Sequence, residues 1–249
     1  MSRVEQSAKL DLEHIVFIGR TFEEYMDMFA LSIKEFQGKK ILDCPAGACS
    51  FTAVGNKLGL DITACDIAYD HPVEDLESKG LQDIEHAMQA MEKVKNNYIW
   101  GYFDNIEKLK KHRIHALKDC TSHMRESSKH YIPVTLPFLP FKDKEFDMLL
   151  SAHFLFMYAD RLDEQFHIQT LNELLRVTKE EIRIFPLVDL QGNRYPHLEQ
   201  LIAYLIDKGC VVEEVNVPYE FMKNANAMLK VKVNNSRLKL SRPKLKKDR

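Results

Sequence analysis

The chain has 249 residues, 45% of them hydrophobic and 29% charged, with a formal net charge of −2. That length suffices for one full core, and the near-neutral balance gives no global electrostatic argument for nucleic acid or an anionic membrane as partner. The five cysteines (Cys44, Cys49, Cys65, Cys120, Cys210) are odd in number and lie mostly in apolar text, which favours reduced, buried thiols in a cytoplasmic protein over a disulfide framework. The opening MSRVEQSAKLDLEH lacks the apolar core of a signal peptide, and the longest apolar stretch, Met148 to Ala159, is too short to span a bilayer, so no membrane association is expected.

In chain order, Phe22, Tyr25, Met26, Phe29, Ile33 and Phe36 recur at helical spacing and predict a helix over Phe22–Phe36. The stretch Gly38–Asp70 then reads as strand, small-residue turn, helix and strand. Ile41-Leu42 is the first strand, Asp43-Cys44-Pro45-Ala46-Gly47 the turn, Ser50–Leu58 the helix closed by Gly59, and Ile62–Cys65 the strand that ends at Asp66. An acid about 19 residues after the turn glycine suits hydrogen bonds to ribose hydroxyls at the edge of an open α/β sheet. Pro45 and Ala46 stand where backbone would have to approach a pyrophosphate, so the turn fits a nucleoside ligand without phosphates.

From His71 to Tyr131 the text is polar and helical, with one amphipathic pattern through Asp83, Ile84, Ala87, Met88 and Met91 and another over Ile106–Met124. Roughly sixty residues far exceed a minimal crossover and imply an inserted helical layer. Tyr131–Val134 is a third strand, which Pro133 places at an edge. Phe146–Phe156 reads as a buried central strand and Phe166–Thr178 as a helix. Ile182–Phe185 is a strand, and His197–Lys208 a helix ended by Gly209. Val211–Val217 and Ala227–Val233 follow without a helix between them, so the last pair is antiparallel. The tail Ser236–Arg249 holds seven basic residues and one acid and is expected to be disordered.

The passage LPFKDKEFDMLLSAHFLF, with Leu139-Pro140-Phe141, Asp143 and Phe146-Asp147, resembles the lead into the fourth strand of class I S-adenosylmethionine-dependent methyltransferases. ILDCPAG is similar to their first motif and Asp66 to their ribose-binding acid. The resemblance covers Lys39–Val233 apart from the insertion. It implies a Rossmann-like seven-stranded α/β sheet of order 3-2-1-4-5-7-6 with the last strand antiparallel. An amino-terminal helix and a helical insertion at about 71–131 would complete a single domain over residues 1–235. It implies S-adenosylmethionine as cofactor and methyl transfer to a small-molecule acceptor. Pro45 and Cys49 stand near the family's glycine positions. Thr135 stands where an acid often meets the adenine amino group.

On this resemblance the cofactor-binding set is Arg20, Asp43, Pro45, Ala46, Gly47, Asp66, Ile67, Thr135, Leu136 and Ser151. Asp43 would meet the methionyl ammonium, Asp66 the ribose, Ile67 one adenine face and Arg20 the cofactor carboxylate. Backbone near Leu136 would meet the adenine edge, and Ser151 backbone the methionine part. His153 and Tyr25 are the catalytic candidates, His153 as a base toward an acceptor hydroxyl or amine. Each has a plainer reading, a hydrogen-bonded buried histidine beside Phe154 and Phe156, and a core tyrosine in the Phe29–Phe36 stripe. Ser50 is expected to cap its helix. Cys120-x-x-His123 with His112, His115 and His130 lacks a second cysteine pair and regular ligand spacing, so no metal site is assigned. Two rival functions stay open, an RNA or protein methyltransferase suggested by the tail, and a non-catalytic cofactor-binding or regulatory protein. Oligomeric state is not readable from the sequence.

Overall fold

A computed structural model describes residues 16–234. Its centre is a seven-stranded sheet of order β3-β2-β1-β4-β5-β7-β6, with β1 Lys40–Asp43, β2 Asp61–Asp66, β3 Tyr131–Pro133, β4 Phe146–Ala152, β5 Thr178–Phe185, β6 Val211–Asn216 and β7 Ala227–Lys232. The first five strands pair in parallel, and β7 runs antiparallel to both β5 and β6. That order and hand of pairing is the class I methyltransferase sheet the sequence resemblance implies. β4, between β1 and β5, is buried almost throughout, as expected for a central parallel strand covered on both faces. Pro133 sits in edge strand β3, where its missing N–H is harmless.

Seven helices cover the sheet among the described residues: α1 Phe22–Met28, α2 Ile33–Phe36, α3 Phe51–Lys57, α4 Val73–Lys93, α5 Ile106–Glu126, α6 Glu164–Val177 and α7 Leu198–Asp207. One apolar cluster joins α1 to α5 to one side, through Tyr25, Phe29, Phe36, Phe51, Leu109 and Leu117. A second joins α6 and α7 to the other, through Leu171, Leu174, Leu198 and Leu201. The insertion between β2 and β3 is α4 and α5, which pack so closely that a Cβ on Gly80 would lie 2.6 Å from Leu117 Cδ1.

Three expected elements differ in detail. The predicted Phe22–Phe36 helix is two helices, because Ala30 turns left-handed at φ 46°. The buried Arg183 takes the Phe29 carbonyl at 2.5 Å, satisfying a helix-end acceptor, and Ser32 with Glu35 starts α2 afresh as a capping box. The fourth strand stops at Ala152 rather than Phe156, since His153 is left-handed at φ 53°. Ser50 does stand at the N-cap of α3, but its hydroxyl makes no cap bond. It accepts instead from the Phe22 N–H at 3.0 Å and so anchors α1 to the turn. No described helix is long and apolar enough to cross a membrane. The basic tail, Ser236 onward, lies outside the described residues.

Candidate active site

The carboxyl ends of β1, β2 and β4 open into one cavity. Arg20, Pro45, Ala46, Gly47, Asp66 and His153, all expected site residues, line it together. The turn after β1 is built for close approach: Gly47 is left-handed at φ 55°, a conformation glycine adopts without steric cost. Its two polar backbone atoms are held from outside the turn. Asp66 Oδ2 accepts from the Gly47 N–H at 2.9 Å, and the Tyr69 hydroxyl donates to the Gly47 carbonyl at 2.7 Å. Asp66 Oδ1 accepts from the Ala68 N–H at 2.9 Å. With one bond on each oxygen, the carboxylate keeps lone pairs for further donors, since it has about four acceptor positions. Burial raises its pKa, opposed by the Ala68 and Gly47 amides.

Residues 16–20 cross over this turn at very short range. A Cβ on Gly19 would sit 1.8 Å from the Ala48 carbonyl oxygen. The Ser50 N–H donates to the Arg20 carbonyl at 3.0 Å, the Arg20 N–H to Cys49 Sγ at 3.2 Å, and the Phe17 N–H to Asp83 of α4 at 2.7 Å. This strapping brings the Arg20 guanidinium into the cavity, with its Nε buried and without a hydrogen-bond partner. The Cys49 thiol, pushed up to about 12 mainly by burial, with Asp43 adding to the rise, is a packing group rather than a nucleophile.

Beneath the turn lies a fully buried pair. The Tyr25 hydroxyl donates to Asp43 Oδ1 at 3.0 Å, while Asp43 Oδ2 has no partner. Burial pushes the Asp43 carboxyl well above the usual carboxylate range, with the Tyr25 bond opposing and Asp66 adding to the rise. Tyr25 stacks on Phe51 with ring centroids 4.8 Å apart. Neither Tyr25 nor Asp43 lines the cavity, so Tyr25 stands as a core tyrosine that orients Asp43. Ser151 is buried within β4, one residue before the cavity-lining Ala152. Ile67 is 60% exposed, and Thr135 and Leu136 lie in the loop after β3; none of the three lines the cavity.

His153 follows β4 directly. Its N–H donates to the Phe185 carbonyl at 2.6 Å, which locks the left-handed backbone. A non-glycine residue held there carries about 1–3 kcal/mol of strain, the sort of outlier that clusters at functional sites. Its Nδ1 is buried without a partner. Burial, reinforced by the positive charges of Arg20 and Arg113, holds the imidazole well below its ordinary pKa and therefore neutral.

Further residues complete the lining, some from the inserted helices and some from the β6–β7 connection. Ala87, Met88 and Met91 of α4, Tyr98, and the β6–β7 residues Tyr219, Phe221 and Met222 form the wall opposite the turn. Arg113 of α5 also faces the cavity, but its charge is committed. Its Nη1 donates to Glu24 Oε2 at 2.6 Å, and the Tyr219 hydroxyl donates to Glu24 Oε1 at 2.9 Å. Burial alone would raise the Glu24 carboxyl; the Arg113 guanidinium overrides it and keeps Glu24 ionised. The sequence signals for this wall are the amphipathic pattern through Ala87, Met88 and Met91 and the aromatic run Tyr98-Ile99-Trp100-Gly101-Tyr102-Phe103. Among the described residues no group of three or more histidine, cysteine or acidic side chains is placed to hold a metal. His123 Nδ1 is engaged with the Tyr131 hydroxyl at 2.9 Å.

No protein-family model matches the chain. Among solved structures it is similar to an S-adenosylmethionine-dependent methyltransferase of Aquifex aeolicus, at 13% identity and a TM-score of 0.43 over 85% of this chain and 93% of that one. It is also similar to the magnesium protoporphyrin IX methyltransferase of Synechocystis PCC 6803, at 10% identity and a TM-score of 0.46 over 86% and 94%. In sequence it is 37% identical over 221 residues to the uncharacterized protein MJ0045 of Methanocaldococcus jannaschii, covering 88% of this chain and 97% of that protein. The chain therefore belongs to the family of the Methanocaldococcus jannaschii protein MJ0045, and its sheet order is that of the class I S-adenosylmethionine-dependent methyltransferase fold.

Proposed function

We propose that this protein transfers a methyl group from S-adenosylmethionine to a small-molecule acceptor at the cavity over β1, β2 and β4. The observation that carries the reading is that two cavity-lining side chains have buried polar atoms without partners, Arg20 Nε and His153 Nδ1, with the unpartnered Asp43 Oδ2 buried beneath the turn. Buried polar groups are nearly always hydrogen-bonded, and leaving one bare costs about 1–3 kcal/mol. A guanidinium donor and a neutral ring nitrogen on one cavity, with the Asp43 carboxyl beneath its floor, fit a ligand with a carboxylate, a reacting centre and an ammonium. The cofactor supplies an electrophilic methyl group on a sulfonium, so the residues have little covalent chemistry of their own to perform.

The residues divide the work. Asp66, fixed by the Gly47 and Ala68 amides, receives the ribose hydroxyls. Gly47, without a side chain, and Pro45 and Ala46 form the floor under the nucleoside. Arg20 pairs with the carboxylate. Asp43, oriented by Tyr25, receives the ammonium, whose charge draws its raised pKa back down. Ile67 covers an adenine face, Thr135 and Leu136 border the adenine edge, and Ser151 supports the methionine part from β4. His153 accepts the proton an acceptor loses as its heteroatom takes the methyl group. α4 and the segment after it close the acceptor side and exclude water, holding the reactants in line. Calorimetric titration of the full chain with S-adenosylmethionine tests the reading. Saturable binding that Asp66→Ala weakens is expected, and no heat at millimolar cofactor would leave a non-catalytic relative of the fold.

A further inference from the structure

The acceptor side of the cavity carries chemistry of its own. Met88, Met91, Met157 and Met222 line it, four of the ten methionines in the chain. Tyr98 stacks on Phe221 at 4.8 Å, and Trp100 meets Phe221 edge-on at 5.3 Å. Thioether sulfurs and ring edges favour aromatic partners over plain hydrocarbon, through sulfur–ring and ring–ring contacts. Two segments far apart in sequence make this wall, and backbone bonds fasten them. The Ile99 N–H donates to the Phe221 carbonyl at 2.7 Å and the Lys223 N–H to the Asn97 carbonyl at 3.1 Å, with Tyr98 and Met222 bridged between. The wall is therefore built before any acceptor arrives.

The polar groups on that side are few. Glu24 and Tyr219 already answer the charge of Arg113, and Arg20 lies over the β1–α3 turn. Besides the hydroxyls of Tyr98 and Tyr158, the lining there holds the neutral imidazole of His153, with a buried nitrogen that nothing else satisfies. Resting on the methyl-transfer reading above, we infer that the acceptor is an aromatic ring carrying one proton-bearing heteroatom, a phenol or an arylamine, and otherwise uncharged. In the reaction a lone pair of the heteroatom attached to the ring forms the new bond to the methyl carbon. The methyl–sulfur bond breaks with its electron pair left on sulfur, and the heteroatom's proton passes to the imidazole of His153.

Trp100 is the sole tryptophan, so its fluorescence reports this wall without interference. The full-length chain, with S-adenosylhomocysteine present, is titrated with p-cresol, p-toluidine, cyclohexanol and uridine 5′-monophosphate. At least one of the two rings should give a saturable change, binding about tenfold or more tightly than cyclohexanol, with uridine monophosphate inert. Which of the two binds better separates a phenol from an arylamine. Met91→Lys should weaken ring binding about tenfold while leaving the S-adenosylhomocysteine affinity, read by calorimetry, unchanged. If circular dichroism shows that variant unfolded, Met222→Lys at the half-buried rim replaces it. Cyclohexanol or the nucleotide binding as tightly as the rings, or rings that bind nowhere, overturns the inference. Should S-adenosylhomocysteine fail to bind while the rings bind as described, the cofactor reading falls and the preference of the wall for aromatic rings stands.

Discussion

Replacing Gly19 by alanine is the sharpest single perturbation the fold offers. The new Cβ would lie 1.8 Å from the Ala48 oxygen, 2.1 Å from the Ala48 carbonyl carbon and 2.6 Å from the Cys49 nitrogen. All three are backbone atoms of the cofactor-side turn, which no rotamer change can move. Carbon contacts settle near 3.5–4.0 Å, so the strap must retreat by about 1 Å or more. The bonds it carries are the Arg20 carbonyl to Ser50 N–H, the Phe22 N–H to Ser50 Oγ and the Phe17 N–H to Asp83. At about 1 kcal/mol each, losing two or three lowers stability by about 2–3 kcal/mol. Arg20 leaves its place with the strap. A charge-assisted bond of about 1.5–3 kcal/mol then goes missing from the cofactor, weakening it roughly ten- to a hundredfold. Urea unfolding reads the first number and calorimetry the second. Stability within about 0.5 kcal/mol of wild type together with unchanged affinity would refute the reasoning.

Three further outcomes follow from the same geometry. Glu24→Gln strands the buried Arg113 charge and should cost about 3–5 kcal/mol in urea unfolding, whereas Glu24→Gln with Arg113→Met should recover much of that loss. His153 has its folded pKa depressed, so the unfolded chain takes up its proton first as pH falls below about 6.5. Stability should therefore decline on that side, and His153→Gln should flatten the slope in pH-dependent melts; turnover, for its part, should show no inflection near 6.5, because the imidazole stays neutral there. Tyr69→Phe removes the donor that holds the Gly47 carbonyl and should raise the KM for the cofactor roughly three- to tenfold, with kcat at saturation changing far less.

The sheet was legible because each strand announced itself locally. Apolar runs, a proline at the edge strand and the absent helix between the last two strands located the strands and the antiparallel pair, while their full order was what the methyltransferase resemblance implies. Five of the twelve expected site residues converge on the cavity for the same reason: Pro45, Ala46, Gly47, Asp66 and His153 sit at strand ends, and strand ends meet along one edge of a parallel sheet. Arg20 was harder, since its place depends on the Gly19 crossing, which no periodicity reveals. Tyr25 read as both catalytic and core, and its helical stripe with Phe29 marked the core outcome. The Tyr98 and Phe221 part of the opposite wall was illegible. Met91 and Phe221 are 130 positions apart in the chain, and contacts such as the Tyr98–Phe221 stacking and the Ile99–Phe221 bond bring their segments together. Helical spacing in α4 shows that Met88 and Met91 share a face, but not what that face meets.

The central claim is that the turn after β1, with Asp66 beside it, holds S-adenosylmethionine. Isothermal titration of the full chain with that cofactor, run in parallel on Asp66→Ala, tests it most directly. Saturable one-site binding by wild type, weakened about tenfold or more in the variant, is the predicted result. Equal affinity in the two proteins would contradict the assignment of Asp66, and no binding by wild type at millimolar concentration would contradict the account as a whole.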